Sequence, residues 1–349
     1  MLTHAKQAGR PRPVCILTTD DDCTADRIVW HLGRLHVPIH RMDLADFPQH
    51  VQLDAVFQAD RWTGRLTTEY WSLALEDIGA IWWWHPGHPR LDCSGMTPSE
   101  AAWAHDEALA GLAGVLATVD CVHLNHPGAT RASQSKPDAL RHAARYGLAV
   151  PATWIGNDPA AGTRFTQQTP ATVCKSLVAP AVTHPDGTHS SFHTTAVHAT
   201  DLDASIAHTA HQLQRAIDTQ YAIRLTVVGE EMFAARIDAH SQAAQADWRS
   251  DYDALTYSHV PLPNSVRTGV RHLMHHYRLA YAAIDLLVDD QGRHWFVDLN
   301  AAGQHDWIQR QLPDLHIAEA IAQYLAGAPA SGSHHRPQRG TAYPQQEDQ

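Results

Sequence analysis

The sequence predicts an α/β fold assembled from more than one layered unit, and three observations predict it. Residues 14–45 alternate a short apolar run, a helical pattern and a second apolar run, the pattern of a β-α-β unit. Residues 97–119 carry a long helical pattern with its own start signal, Thr97 followed three positions later by Glu100. Two stretches in the C-terminal part, 221–238 and 282–300, read as long hairpins, the first turning at Gly229-Glu230 and the second in "DDQG".

Taken in order, "VCILTT" is a strand, "TADRIVWHLGRLH" a helix with Thr24 as its N-cap, and "VPIHRMD" a second strand. "LDAVFQADRWTGRLTT" reads as a hairpin turning at Thr63-Gly64. "IGAIWWW" is a further strand that places at least one of Trp82, Trp83 and Trp84 in a core. After Asn125-His126-Pro127-Gly128 a helix covers "KPDALRHAARYG" and is stopped by Gly147 and Pro151. "ATVCKSLV" and the segment up to Val197 read as strands flanking the turn "HPDGT". "NSVRTGVRHLMHHYRLA" is a helix ahead of the last strand pair, and a short helix lies near 315–325. The Pro-, Gly-, Ser- and Gln-rich stretch from about residue 327 is expected to be disordered.

Composition narrows the classes. The 349 residues suffice for two or three subdomains, and the apolar share of 44% is that of a globular protein. No apolar run reaches membrane-spanning length and the first residues lack a signal-peptide core, so the expected location is cytoplasmic, away from membranes. Five scattered cysteines, Cys15, Cys23, Cys93, Cys121 and Cys174, read as reduced thiols. A net charge of −11 argues against a nucleic-acid partner. The 27 histidines, His184, His189, His193 and His198 among them, fit no zinc spacing and read as composition bias.

Lysine usage carries a sharper signal. Of 26 basic residues only Lys6, Lys136 and Lys175 are lysines. A chain that otherwise uses Arg retains Lys where a compact ammonium must meet a phosphate oxygen, unless the survival is chance.

The stretch "AAIDLLVDDQGRHWFVDLN" supplies the acidic side. A hairpin centred between Asp290 and Gln291 sets Asp285 opposite Phe296. Alternation then puts Asp285, Asp298 and Asn300 on one face, with Ile284, Leu286, Val288, Trp295, Val297 and Leu299 on the other. Three oxygen donors on one side of two strands suit a magnesium ion, Mg2+, that also takes phosphate.

With these residues in view, the sequence resembles the ATP-grasp ligases. Asp285, Asp298 and Asn300, with the "NAAGQ" that follows, resemble that superfamily's metal-binding end, and Lys136 and Lys175 fall where it places two ATP-contacting lysines. Within it, the chain is similar to the graspetide (microviridin-type) macrocyclases, which mature ribosomally made peptides. The similarity runs through "ILTTDDDCTADRIVWHLGRLHVPIHRMDLADFP", "LNHPGATRASQSKPDALRHAARYGLAVPATWIGND" and "LQRAIDTQYAIRLTVVGEEMFAARID", and includes the short motif Asp247-Trp248-Arg249. It departs in having Asp298 where many members have Glu, Arg215 where an acidic residue often follows the Gln, and "NAA" in place of Asn-Pro.

The resemblance implies an ATP-grasp fold with a pre-ATP-grasp domain over 1–124, a central subdomain over 125–214, a catalytic subdomain over 215–326 and a tail over 327–349. It implies ATP and Mg2+ as cofactors, with Lys136, Lys175 and Gln214 contacting the nucleotide and Asp285, Asp298 and Asn300 holding the metal. Arg224 and Arg249 become the candidates for stabilising the charge of an acyl phosphate, against a strand salt bridge for Arg224 and a solvated surface for Arg249. Gln214 has its own bland reading, a strand-end Gln facing solvent. The turn "HPDGT", with Gly187, Ser190 and Ser191, is placed as a loop folding over the phosphates. The partner implied is a precursor peptide with a leader, and the assembly a homodimer. The competing expectations are a ligase joining amino acids or extending a protein tail, and a binding module without turnover.

Overall fold

The computed structural model describes residues 11–169, 171–178, 181–183, 188–192 and 194–327. The chain opens with β1 (Val14–Leu17), α1 (Cys23–Arg34) and β2 (Ile39–Met42). The N-cap of α1 is Asp22, not Thr24: its carboxylate accepts from the amides of Thr24 and Ala25. Thr24 lies buried in the first turn and donates its hydroxyl to Gln304 Oε1 at 3.0 Å. A carboxylate reaches the free amides of a helix start as well as a hydroxyl does, and two candidate caps in series leave the sequence ambiguous.

β3 (Gln52–Gln58), β4 (Arg61–Thr67) and β5 (Ser72–Ala74) form a three-stranded antiparallel sheet. The β3–β4 hairpin turns at Ala59-Asp60, both at positive φ, and not at Thr63-Gly64. Gly64 lies inside β4 opposite Ala55, where a Cβ would come within 2.0 Å of the Asp54 carbonyl oxygen. The glycine permits close strand approach instead of making a turn.

β6 (Ala80–Trp83) and β7 (Val122–Leu124) complete a parallel sheet of order β2-β1-β6-β7. Between them α2 (Pro98–Ala117) starts with the expected Thr97–Glu100 capping box. Trp82 and Trp84 are both in the core and stack at 5.0 Å, while Trp83, on the opposite face, donates Nε1 to His123 Nδ1.

α3 (Pro127–Ser133), which the sequence reading missed, precedes α4 (Lys136–Arg145). Then come β8 (Thr153–Gly156), α5 (Pro159–Gln168), β9 (Thr172–Lys175), the pair β10 (Ala181–Thr183) and β11 (His189–Ser191), β12 (Thr195–Val197) and β13 (His211–Arg215). β12-β9-β13-β8 is an antiparallel sheet. Gly187, His184 and His193 lie outside the described residues, as do Lys6 and the tail from 328.

The last unit contains β14 (Thr219–Val228), β15 (Glu231–Ala239), α6 (Gln242–Ala246), β16 (Leu255–His259), α7 (Asn264–Tyr277), β17 (Tyr281–Asp289) and β18 (His294–Asn300). α8 (Asp306–Gln311) and α9 (Ile317–Leu325) follow. Its sheet has the order β16-β15-β14-β17-β18. One face packs on α4 and α7 through Ile223, Leu225, Ile284, Leu286, Leu273 and Ala143. α9 packs against α1 and the parallel sheet, in one core with Trp82 and Ile28. Among the described residues no helix is long and apolar enough to cross a membrane.

The β17–β18 register differs from the regular one expected. Asp285 stands opposite Asp298 and Leu286 opposite Phe296, so Val297 is an extra residue in the ladder. This bulge carries Phe296 onto the apolar face with Leu286, and Trp295 opposite Leu287 on the other. The hairpin is centred on Gln291 and not between Asp290 and Gln291, so a regular ladder would set Asp285 opposite Val297; the extra residue shifts the pairing by one and so restores the expected parity of Asp285, Asp298 and Asn300.

Candidate active site

A cleft of about 320 Å³ lies between the sheet carrying β9 and β13 and the exposed face of the five-stranded sheet. Its walls are apolar where Val173, Ala222, Ile237 and Leu287 face it, and one end is charged, with Lys175, Asp247, Arg249 and Asp285. An apolar slot with a few polar groups at one end suits a flat ring with a charged tail.

The charged end is built from a row across three neighbouring strands. Arg224 on β14 stands opposite Asp285 on β17, which stands opposite Asp298 on β18. Arg224 is buried, donating Nη1 to Asp285 Oδ1 at 3.0 Å and Nη2 to the Gln304 carbonyl at 2.9 Å. The strand salt bridge weighed for this residue therefore exists, at the centre of the cluster. Its close fit needs Gly303, where a Cβ would lie 2.8 Å from Arg224 Nη2 and 2.6 Å from Ala283 Cβ.

Arg249 is not a solvated surface residue. It donates Nη2 to Asp285 Oδ2, pairs with Asp247 Oδ1 at 3.4 Å and lies over the Trp248 ring at 4.4 Å. Trp248 stacks in turn on Trp307 at 5.1 Å. Asp247 also accepts from the amides of Thr194 and Arg249, which fixes the loop after α6. The motif Asp247-Trp248-Arg249 thus works as a bracket in which the outer two positions pair and the middle ring supports the guanidinium.

Electrostatics follow from this packing. Burial acts to raise the Asp285 pKa, but Arg249 and Arg224 outweigh it and hold the carboxyl below the usual range. Burial likewise opposes the charge on Arg249, and Asp285, Asp247 and Asp298 outweigh it and raise its pKa. Lys175 shows the reverse balance: burial lowers its pKa, Lys136 and Arg249 add repulsion, and the attraction of Asp298 does not make up the difference.

Lys136 is the first residue of α4 and donates Nζ to the Ser176 carbonyl at 2.7 Å, which brings it beside the end of β9. It shares a small recess with Asp298 and Val297. Gln214 does not face solvent as its bland reading supposed: it is buried, donates Nε2 to Thr153 Oγ1 at 2.9 Å and lines the cleft. Asn300 is exposed, its Oδ1 accepting from the Ala302 amide. The sequence-derived residues Lys136, Lys175, Gln214, Arg249, Asp285 and Asp298 thus line the cleft or its adjoining recess, Arg224 is buried behind Asp285, and Asn300 follows two positions beyond Asp298. Cys174 is half-buried beside Lys175, and burial raises its pKa, as an inert thiol requires.

Whether the acidic residues fit a metal is testable on their surroundings. The donors are hard oxygens, two carboxylates face to face and an amide two residues on, and a guanidinium already fills the second oxygen of Asp285. Arg224 takes the other oxygen of Asp285, and the hard-oxygen donor set is of the kind Mg2+ binds.

Sequence reasoning passed over two supports. Asn125, read only as part of a turn, is buried: its Nδ2 donates to the carbonyls of Tyr281 and Ala301, and its Oδ1 accepts from the amides of Ala280 and Tyr281. Tyr281 Oη donates to the Gly303 carbonyl at 2.5 Å and fixes the loop from the other side. Their only sequence signal is an Asn and a Tyr at strand ends, which by itself is unremarkable.

Residues 14–131 match the family described as the MvdD pre-ATP grasp domain. A RiPP-associated ATP-grasp ligase of Chryseobacterium gregarium, solved with ADP and a leader and core peptide, is 26% identical with a TM-score of 0.84, covering 91% of this chain and 98% of its own. Macrocyclase MdnC from Microcystis aeruginosa MRC, bound with precursor peptide MdnA, is 24% identical with a TM-score of 0.79, over 90% and 99% of the two chains. Macrocyclase MdnB from the same source is 25% identical with a TM-score of 0.75, over the same shares. Against curated protein sequences the chain has no match. The protein has the ATP-grasp fold, opened by an MvdD-type pre-ATP-grasp domain.

Proposed function

We propose that the protein is an ATP-dependent ligase that closes rings in a ribosomally made precursor peptide. The observation that carries the reading is the cleft itself, where Lys175, Gln214, Arg249 and Asp285 meet between the two sheets with Asp298 beside them. The full-length likeness to a ligase solved with ADP, leader and core supports it. A binding module without turnover would have no use for two arginines, two lysines and two carboxylates kept in register.

A side-chain carboxylate of the peptide is a poor electrophile. In the proposed reaction its oxygen attacks the γ-phosphorus of ATP, ADP leaves, and an acyl phosphate forms on the Asp or Glu. A Ser or Thr hydroxyl, or a Lys amine, of the same peptide then attacks the acyl carbon, gives up its proton, and phosphate departs. Such transfers depend on positioning and on neutralising developing charge.

Lys175 and Lys136 would hold phosphate oxygens as point charges, which would favour the ammonium form of Lys175 that burial disfavours in the ligand-free protein. Gln214, on the cleft wall, would contact the nucleotide. Asp285, Asp298 and Asn300 would hold Mg2+, which when bound supplies charge neutralisation across the phosphates. Arg224, pinned on both sides, keeps Asp285 in place. Arg249, half-buried at the cleft and on a loop, is the group placed to meet the negative charge that grows on the acyl carbon's oxygen. A cytoplasmic location and a homodimer belong to the same proposal, the first in keeping with five free cysteines and the second to be read by light scattering.

The test is incubation with ATP, Mg2+ and a cognate precursor peptide. The peptide mass is expected to fall by one water per ring, and removal of the leader to lower the efficiency, since the leader holds the core at the site. A mass gain of one amino-acid residue would instead establish a ligase that joins separate substrates.

A further inference from the structure

Away from the cleft, on the side where α4 packs against α7, three side chains converge that the ligase reaction does not use. Asp138 and His142 are one turn apart on α4, and His276 lies in the last turn of α7. A carboxylate oxygen of Asp138, a ring nitrogen of His142 and one of His276 all lie within 4.8 Å of one another. The two imidazole rings stack at 3.7 Å, and Asp138 accepts from Tyr277 Oη at 2.7 Å and pairs with His142 Nε2 at 3.4 Å.

Two further observations separate this cluster from an incidental group of polar residues. His142 is buried, and its Nδ1 is out of solvent with no hydrogen-bond partner. Buried ring nitrogens are ordinarily satisfied, so an orphan here calls for a ligand or a ring rotation that supplies one. His276 is exposed and free to turn. The carboxylate already has a second partner in Tyr277, the arrangement that orients a metal-binding carboxylate.

We propose that Asp138, His142 and His276 form a binding site for a transition-metal ion of the zinc or nickel class, which ties α4 to α7. Two imidazoles and one carboxylate are the donors such ions prefer, with water in the remaining position, and Mg2+ is excluded because it takes oxygen ligands. The exposed His276 ring turns out of its stack to bring its nitrogen to the ion. The helix that would be clamped is the one whose first residue is Lys136, so occupancy would steady that lysine beside β9.

The experiment uses the full chain, stripped with a chelator, without nucleotide or Mg2+. Zn2+ is titrated by calorimetry, and Co2+ is followed by visible absorption, which reports the coordination of the bound ion. One tight equivalent is expected in the unaltered protein, above the weak background of its other histidines. His276→Gln, an exposed substitution, is expected to weaken that equivalent by at least about tenfold and to remove the Co2+ absorption, with an unchanged melting temperature of the metal-free protein. His272→Gln, one turn earlier on α7, is the control and should bind as the unaltered chain does. Equal binding by His276→Gln and the unaltered protein, or no tight equivalent in either, overturns the proposal.

Discussion

Asp285 and Asp298 stand directly opposite each other across the β17–β18 ladder, yet they are held in different ways. Asp285 is buried between two guanidiniums, Arg224 and Arg249. Asp298 is only half-buried, and its Oδ1 accepts from the adjacent Leu299 amide. One carboxylate is part of the framework and the other is the open position. Substitutions that are chemically identical should therefore have different outcomes.

Asp285→Asn strips the charge that balances the buried Arg224, and is expected to destabilise the fold by about 3–5 kcal/mol as well as abolish turnover. Asp298→Asn leaves that pair untouched; its melting temperature should stay near that of the unaltered protein while ATP turnover falls by at least about 100-fold. Thermal melts alongside ADP release separate the two, and normal turnover in Asp298→Asn would remove Asp298 from the metal site.

Lys175 makes a pH prediction. Its pKa is lowered in the folded, ligand-free protein, so folding works against its charge, and its contribution to stability improves as pH rises from the lowered value toward the ordinary lysine value. Nucleotide phosphates favour the ammonium form. ADP affinity should accordingly decline as pH rises through the lowered pKa, with proton uptake on binding in that window. Calorimetry in buffers of different ionisation enthalpy measures the uptake. Lys175→Met should remove it, weaken ADP binding and leave the ligand-free melting temperature no lower than before.

How much of this was legible without the structure depends on whether a signal was local. The lysines stood out because the chain otherwise uses Arg, and the capping box of α2 is written in four consecutive residues. Alternation set Asp285 and Asp298 on one face only because two departures cancel, a hairpin centred on Gln291 and the Val297 bulge, and an extra residue leaves no local mark when apolar side chains occupy both positions. Thr63-Gly64 looked like a turn because a glycine's reason for being there, the carbonyl of Asp54 on the next strand, is a matter of tertiary contact. For Gln214 and Arg249 the sequence left a solvent-facing reading open beside the functional one for the same reason: their burial is decided by a second sheet and by a loop after α6.

Gly303→Ala tests that packing. Its Cβ would press on Arg224 and Ala283, both held in place, so a loss of about 1–3 kcal/mol is expected. Arg224 should move off Asp285, and turnover should fall with stability. A variant as stable and active as the parent would mean that the loop yields instead.

Arg249→Gln separates its two roles. Removing the guanidinium releases one oxygen of Asp285, so Mg2+-dependent ADP binding is expected to hold or tighten. Peptide-dependent ADP release should nevertheless drop by about 100-fold or more, as when a group that meets transition-state charge is lost. Loss of ADP binding in equal measure would assign Arg249 to nucleotide binding and not to the transfer step.

The four hydrogen bonds of Asn125 reach residues 155 to 176 positions further along the chain. One short amide thus binds the exit of the parallel sheet to the strand that presents Asp285 and to the loop that presents Gly303. The catalytic hairpin is local in sequence, but its place is not: loop closure over so long a separation has an entropic cost that its own residues cannot offset. The carboxylates can be paired early by their hairpin, and they acquire an orientation only when the first third of the polypeptide has already been built to receive them.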